Sequence, residues 1–98
     1  MMQGQNVFFA IGLAQKAGKL ASGDYAVTNA LKTGKVKLLL IAKDCAENSK
    51  EKLLYLCQLH KVKTLEVLDR TKLGMAVGKG QRTAVAVLND NFVKMILK

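Results

Sequence analysis

The residues of this chain best suited to contact a ligand lie in the segment 22–34, which begins Ser-Gly-Asp-Tyr and ends in Gly34. On a helical wheel at about 100° per residue, one half is apolar and consists of Ala26, Val27, Ala30 and Leu31. The other half is polar and carries Asp24, Tyr25, Thr28, Asn29, Lys32 and Thr33. A tyrosine on the polar face of a helix can stack on an unpaired nucleic-acid base, a contact worth about 1–3 kcal/mol. The segment therefore predicts a helix whose outer face contacts a nucleic acid.

The start of this helix favours an anion, because its first backbone N–H groups lack acceptors and the helix dipole is positive there. We predict that Ser22 caps the helix and that Gly23 allows another backbone to approach closely. Lys19 just before it and Lys32 further along the polar face add positive charge. Asp24 complements the dipole but occupies the place of an anion. The alternative is a capped surface helix with Tyr25 half-buried by a neighbour.

A second glycine-rich segment runs from Gly74 to Thr83 with the sequence GMAVGKGQRT. A phosphate-binding P-loop needs four residues between its glycines and a Ser or Thr after its lysine. Here three residues separate Gly74 from Gly78, and Gly80 follows the lysine. The segment instead predicts a mobile basic loop that presents Lys79, Gln81 and Arg82. A solvated connection without a ligand is the alternative.

The composition predicts one domain with a polyanionic partner. The chain has 98 residues, half of them hydrophobic, which is enough for a core but not for two domains. Sixteen Lys and Arg residues against seven Asp and Glu give a net charge of +9, which favours RNA, DNA or an anionic membrane surface. Fourteen of the sixteen cations are lysines, which suit contacts to phosphates better than bidentate reading of bases.

Other classes of protein find little support. The carboxylates and the single histidine form no acid–base, nucleophile or metal-ligand pattern, so we expect no enzyme activity, cofactor or metal. Cys45 and Cys57 are widely spaced and are expected to be reduced. No apolar run reaches 18 residues, and no basic segment precedes the first apolar residues. We therefore predict a cytoplasmic protein with no membrane partner.

The hydrophobic pattern predicts helices and strands in alternation. The predicted helices cover residues 5–16, the segment up to Gly34, a segment ending near 59, 71–77 and a terminal segment from 89 or 90. The predicted strands are a brief one at 20–21 and three longer ones at 36–42, 62–68 and 83–88. The expected N-cap of the third helix is Asn48 or Ser49, and that of the fourth helix is Asp69. Such alternation is typical of an α/β fold, here a three-layer α/β/α sandwich with a central mixed sheet of about four strands.

Two blocks of sequence resemble a known family. The first runs from Gly23 through Val27-Thr28, Ala30-Leu31, Gly34 and the strand Val36–Ala42 to Asp44. The second is Leu73-Gly74-x-Ala76-x-Gly78 followed by the strand 84–87. Together they resemble the signature of the kink-turn RNA-binding ribosomal-protein superfamily over nearly the whole chain. The length, the Gly-Lys-Gly-Gln-Arg loop and the short tail are most similar to the small bacterial YlxQ-type members.

The resemblance implies a single domain, residues 1–98, that grips kinked RNA between the start of the second helix and the loop before the last strand. The expected RNA-binding residues are Lys19, Gly23, Asp24, Tyr25, Asn29, Lys32, Lys79, Gln81 and Arg82. In the family pattern an Asn-Glu pair reads the sheared G·A pairs of the kink-turn. Tyr25 and Ala26 stand at those two positions here, and Asn29 replaces a lysine.

Three hypotheses follow. The first is a non-catalytic, ribosome-associated protein, monomeric, that binds ribosomal or otherwise structured RNA. The second is a protein-interaction module that keeps the fold without kink-turn specificity. The third, an enzyme acting on a phosphorylated substrate, depends only on the glycines at 74, 78 and 80.

Overall fold

The computed structural model describes residues 4–98, which form five helices and four strands. In chain order these elements are α1 (Gly4–Lys16), β1 (Leu20–Ser22), α2 (Asp24–Lys32), β2 (Leu38–Ile41), α3 (Glu47–Leu59), β3 (Thr64–Glu66), α4 (Arg70–Ala76), β4 (Ala84–Val87) and α5 (Asp90–Leu97). The predicted order of helices and strands is confirmed, although each of the three longer strands is shorter than predicted. Glycines with positive φ follow three of the helices, at Gly18, Gly34 and Gly78.

The sheet is mixed, with the strand order β1-β4-β2-β3. The strand β4 lies between β1 and β2 and is antiparallel to both, while β2 and β3 are parallel. The register pairs Ser22 with Val85 and Ile41 with both Ala84 and Glu66. The ends of β1, β2 and β3 and the start of β4 therefore lie together. They form one edge of the sheet, made of strand termini and not of an outer strand, which we call the loop end. The opposite edge holds the residues that enter β1, β2 and β3.

Two cores lie on opposite faces of the sheet, which confirms the predicted α/β/α sandwich. Side chains of α1, α4 and α5 pack on one face, over Leu38, Leu40, Val85 and Val87. Side chains of α2 and α3 pack on the other, over Leu39, Ile41, Ala84 and Ala86. Successive residues of β2 and β4 point to opposite faces, and all are buried. This explains why both strands are continuously apolar in the sequence.

Two predicted helix caps are wrong. Ser22 is the last residue of β1, and the N-cap of α2 is Gly23, whose φ of 92° suits a residue without a Cβ. The helix α3 begins at Glu47 after an extended Ala46, which is earlier than a cap at Asn48 or Ser49 allows. No side chain caps either helix. The predicted cap Asp69 is confirmed, since its side chain accepts a hydrogen bond from the backbone N–H of Lys72.

The buried face of α2 is narrower than the predicted apolar half. Val27, Ala30 and Leu31 are buried and span about 100° of the helical wheel. Ala26 lies outside this stripe and is exposed.

Within residues 4–98, no helix combines the length and the apolar character that crossing a bilayer requires.

Candidate nucleic-acid interface

Two of the predicted site segments meet at the loop end of the sheet. Ser22 pairs with Val85, so the start of α2 lies beside the residues that lead into β4. The backbone N–H of Ala42, just after β2, donates to the carbonyl of Thr83 at 2.9 Å. The backbone N–H of Lys43 donates to the carbonyl of Leu68 at 2.8 Å. These bonds bring the segments 22–25, 42–46, 67–70 and 78–83 to one edge of the molecule.

The start of α2 is open to solvent. Its N-cap, Gly23, has no side chain, so no side-chain oxygen occupies the first N–H groups of the helix. Tyr25 follows in the first turn and is 84% exposed, so the alternative in which a neighbour half-buries the ring is wrong. Asn29 lies one turn further on the same face as Tyr25 and is also exposed. The result is a helix start with free donors and an aromatic ring that no core residue covers.

The loop 78–83 is fixed by hydrogen bonds to α4. After the left-handed Gly78, the N–H of Lys79 donates to the carbonyl of Gly74 at 2.9 Å, which completes a Schellman motif. Two further bonds connect the loop to the start of α4. The amide Nε2 of Gln81 donates to Thr71 Oγ1 at 3.2 Å, and the N–H of Arg82 donates to the carbonyl of Arg70 at 3.1 Å. The loop predicted as mobile is thus held against the first turn of α4 and its last residues.

Gly74 is required for this packing. It is buried in α4, and a Cβ added there would lie 2.0 Å from the carbonyl oxygen of Gly80 and 2.7 Å from its carbon. Both contacts are with backbone atoms, which cannot rotate away. Gly74 therefore allows the loop to pack closely on α4.

Arg82 binds its own loop. Its Nη1 donates to the carbonyl oxygens of Gln81 at 3.0 Å and Gly80 at 3.4 Å. The guanidinium is only partly exposed, and its Nε has no acceptor within the described residues. Arg82 therefore holds the shape of the loop and keeps its charge at the loop end. Lys79, by contrast, is exposed and available to a phosphate.

An ion pair joins the β2–α3 loop to α4. The backbone N–H of Arg70 donates to Asp44 Oδ1 at 2.8 Å, and Arg70 Nε lies 3.4 Å from Asp44 Oδ2. The backbone hydrogen bond is the largest cause that lowers the pKa of Asp44, and the guanidinium lowers it further. Asp44 and the capping Asp69 thus direct their carboxylates at backbone N–H groups of α4.

Lys43 is a functional candidate that the residue pattern alone did not indicate. It is exposed and lies in the same loop as Asp44. Its backbone N–H is bonded to Leu68, and that of the preceding Ala42 is bonded to Thr83. With Lys79 and Arg82 it makes three cations that are outside the two ion pairs and lie on the segments 42–46 and 78–83. The resemblance was the signal that pointed to this loop, through the first sequence block that ends at Asp44, but only the sheet register shows how close it lies to the loop 78–83.

Not every predicted site residue lies at the loop end. Gly23, Asp24, Tyr25, Lys79, Gln81 and Arg82 do, and Asn29 lies one turn away along α2. Lys19 precedes β1, and its carbonyl accepts from the N–H of Leu88 at the other end of β4. Lys32 is the last residue of α2, about 12 Å along the helix axis from Asp24. Both lysines therefore lie toward the opposite edge of the sheet.

Among residues 4–98, no three His, Cys, Asp or Glu side chains converge as metal ligands. Cys45 and Cys57 are free thiols, and burial raises the pKa of both, that of Cys57 to about 11. The arrangement can bind phosphates and stack on a base.

Comparison with known proteins places this geometry in a family. Residues 5–97 match the family model described as ribosomal protein L7Ae/L30e/S12e/Gadd45 family. A curated relative from Bacillus subtilis (strain 168), named RNA-binding protein YlxQ, is 32% identical over 98% of this chain and 96% of its own length. Another of the same name from Enterococcus faecium is 28% identical over 92% of this chain and 86% of its own.

A solved structure is also similar. It is described as a protein with unknown function from Bacillus halodurans C and has a TM-score of 0.84, with 29% identity over 94% of this chain and 97% of its own. Two relatives and the family model thus agree with the resemblance seen in the two sequence blocks. The chain belongs to the ribosomal protein L7Ae/L30e/S12e/Gadd45 family.

Proposed function

We propose that this protein binds structured RNA without catalysing a reaction, and that it does so at the loop end of its sheet. The observation that carries the proposal is Tyr25, which is 84% exposed at an uncapped helix start. A single exposed aromatic ring is common on protein surfaces, but this one stands at a helix start whose N–H groups no side chain caps, a combination that suits an unpaired base and its phosphate. The names of the two relatives and the net charge of +9 support RNA as that partner.

The chemistry of the site divides between two kinds of contact. Lys43 and Lys79 are exposed on separate loops and suit phosphates, which position an RNA without reading its sequence. The free N–H groups at the start of α2 favour a further phosphate or a base acceptor. Tyr25 offers its face to an unpaired base. A helical stem supplies the phosphates, and a bulge or bend supplies the unpaired base, so structured RNA fits better than a plain duplex.

We further propose that the RNA is a kink-turn or a similar bend in ribosomal RNA, read chiefly through the backbone and by stacking. The family pattern's Asn-Glu pair is replaced by Tyr25 and Ala26, both exposed. These side chains cannot form the hydrogen bonds of an amide and a carboxylate with base edges. Discrimination between a kinked RNA and its unkinked control should therefore be smaller than for a protein that carries the pair.

The matched pair Tyr25→Ala and Tyr55→Ala tests the site. Tyr55 lies on α3 and is 63% exposed, so its removal changes the same chemistry elsewhere on the surface. Loss of a stacked base at about 1–3 kcal/mol should weaken binding of Tyr25→Ala to a bulged RNA by about 5- to 150-fold. Tyr55→Ala should bind as the wild type does. Equal affinities for all three proteins would contradict the proposal.

A protein-interaction module is the second candidate, and one observation favours it. Phe9, Leu13 and Met95 are exposed at 60%, 51% and 38% and line one groove between α1 and α5. Phe8 meets Phe9 edge-on at a centroid distance of 6.1 Å, which holds the Phe9 ring in place. If a protein is the principal partner, Phe9→Ser should abolish binding of that partner, whereas Tyr25→Ala should leave the binding unchanged. The affinity of the wild type for RNA should then be negligible even in low salt.

A further inference from the structure

Six exposed lysines gather at the edge of the sheet opposite the loop end. We call this edge the lysine surface and define it as Lys19, Lys32, Lys35, Lys37, Lys61 and Lys63. Three of them are the residues immediately before strands: Lys19 precedes β1, Lys37 precedes β2 and Lys63 precedes β3. The strand register rather than the sequence brings them together, because they are spread over 45 positions of the chain.

The register fixes the row of lysines. The carbonyl of Lys19 accepts from the N–H of Leu88 at 2.9 Å, and the N–H of Lys37 donates to the carbonyl of Val87 at 2.8 Å, on the two sides of the end of β4. The carbonyl of Lys63 accepts from the N–H of Leu39 at 2.9 Å. At a strand spacing of about 4.8 Å, this row of backbone positions extends for about 14 Å. A surface of that length can face several phosphates of one strand.

Acidic residues do not neutralise the lysine surface. Six of the seven carboxylates lie in the loops, strand ends and first two helical turns at the loop end: Asp24, Asp44, Glu47, Glu51, Glu66 and Asp69. The seventh, Asp90, begins α5 two residues after Leu88, so it lies at the same edge as the lysine surface and offsets at most one of its six charges. Both ion pairs found within residues 4–98, Lys50–Glu66 and Arg70–Asp44, lie at the loop end. The excess positive charge of the protein is therefore concentrated at the lysine surface.

The outer face of α2 connects the lysine surface with the loop end. Tyr25, Asn29 and Lys32 are spaced by four and three residues, so they form one exposed stripe along the helix. Gly34 then ends α2, and Lys35 follows it with its N–H bonded to the carbonyl of Ala30. A polymer that stacks on Tyr25 and follows this stripe reaches Lys32 and Lys35 after two helical turns.

We propose that the lysine surface is a second RNA contact, which holds the phosphate backbone of a duplex without reading its sequence. This inference rests on the proposed function for its choice of RNA over other polyanions. Both arginines of the chain, Arg70 and Arg82, lie at the loop end, and the lysines of this edge give attraction to phosphates but no bidentate base contact. The loop end then selects the bend in the RNA, and the lysine surface secures the adjoining arm, about 16 Å away along β2.

The test measures the salt dependence of binding to a plain 20-base-pair RNA duplex for three proteins. The variant K19Q/K35Q/K37Q removes three charges from the lysine surface. The matched control K52Q/K94Q/K98Q removes three charges from exposed lysines on α3, on α5 and after it. Each phosphate contact contributes about 0.7–0.9 to the slope of log affinity against log salt. Between 50 and 200 mM salt, the wild type should therefore lose roughly 20- to 40-fold more affinity than the lysine-surface variant.

The outcomes separate this inference from the proposed function. The control should keep at least two thirds of the slope that the lysine-surface variant loses, and thermal unfolding should show all three proteins folded. Equal slopes for the two triple variants would overturn the inference. Loss of binding to vesicles with anionic lipids, with unchanged binding to the duplex, would assign the surface to a membrane and overturn it too. Failure of the loop-end site would appear separately, as a Tyr25→Ala variant that binds bulged RNA normally.

Discussion

Replacing Gly74 by alanine should displace the loop that carries Lys79. The added Cβ would lie 2.0 Å from the carbonyl oxygen of Gly80, whereas ordinary contacts of this kind are 3.4 Å or longer. The loop backbone must therefore move by more than an ångström. Such a movement strains three hydrogen bonds that hold the loop on α4, those from the N–H of Lys79, the N–H of Arg82 and the amide of Gln81.

The size of the effect follows from two opposing contributions. Overpacking a close contact costs about 1–3 kcal/mol. Alanine is favoured over glycine inside a helix by about 1 kcal/mol, and Gly74 lies within α4. The free energy of unfolding should thus fall by up to about 2 kcal/mol. Affinity for a bulged RNA should fall by about tenfold or more, because the displaced loop no longer presents Lys79 beside the start of α2.

Urea unfolding and RNA titration together measure this prediction, and Gly12→Ala is the matched control. Gly12 lies in the middle of α1, where an added Cβ would meet only the carbonyl oxygen of Ala76 at 3.6 Å. Gly12→Ala should therefore be neutral or stabilising, with unchanged RNA affinity. The reasoning is refuted if Gly74→Ala is as stable as Gly12→Ala and binds RNA as the wild type does.

Three further predictions concern the backbone, the thiols and an ion pair. Lys61 has a φ of 58° after α3, so Lys61→Gly should raise the free energy of unfolding by about 0.5–1 kcal/mol in urea titrations; a decrease would show that the left-handed strain is absent. At pH 8, N-ethylmaleimide should modify Cys45 at least tenfold faster than Cys57, because Cys57 is 2% exposed with a pKa of about 11; mass spectrometry that finds equal rates would contradict its burial. Asp44→Asn should lower the free energy of unfolding at pH 7, and this difference from wild type should vanish as the pH falls below 3.8 through the lowered pKa of Asp44, because a protonated carboxyl is a weaker acceptor for the N–H of Arg70. A difference that is constant with pH would contradict this.

The order of elements could be predicted from the sequence because each is marked locally. Gly18, Gly34 and Gly78 take the left-handed conformation just after the predicted ends of their helices. The caps of α2 and α3 could not be predicted, because Gly23 and Ala46 begin helices by backbone conformation alone while a good capping residue lies nearby. Propensity identifies a residue that is able to cap but does not show where the chain turns.

The candidate site was predicted in its segments but not in its extent. The pattern around Tyr25 and the loop 78–82 follow from local sequence, and the resemblance joined them. Lys19 and Lys32 were assigned to the same site because they are near Tyr25 along the chain. The register of β1 against β4 places Lys19 at the other edge of the sheet, and strand register depends on contacts between segments far apart in sequence.

Amide chemical-shift mapping of the labelled protein with a bulged RNA tests the loop-end site most directly. At 200 mM salt, where phosphate contacts alone are weak, the first changes should fall on residues 23–25, 43 and 78–83. Amides of α1 and α5 should stay unchanged at the same RNA concentrations. Changes confined to α1 and α5, or no changes at all with the RNA in excess, would contradict RNA binding at the loop end.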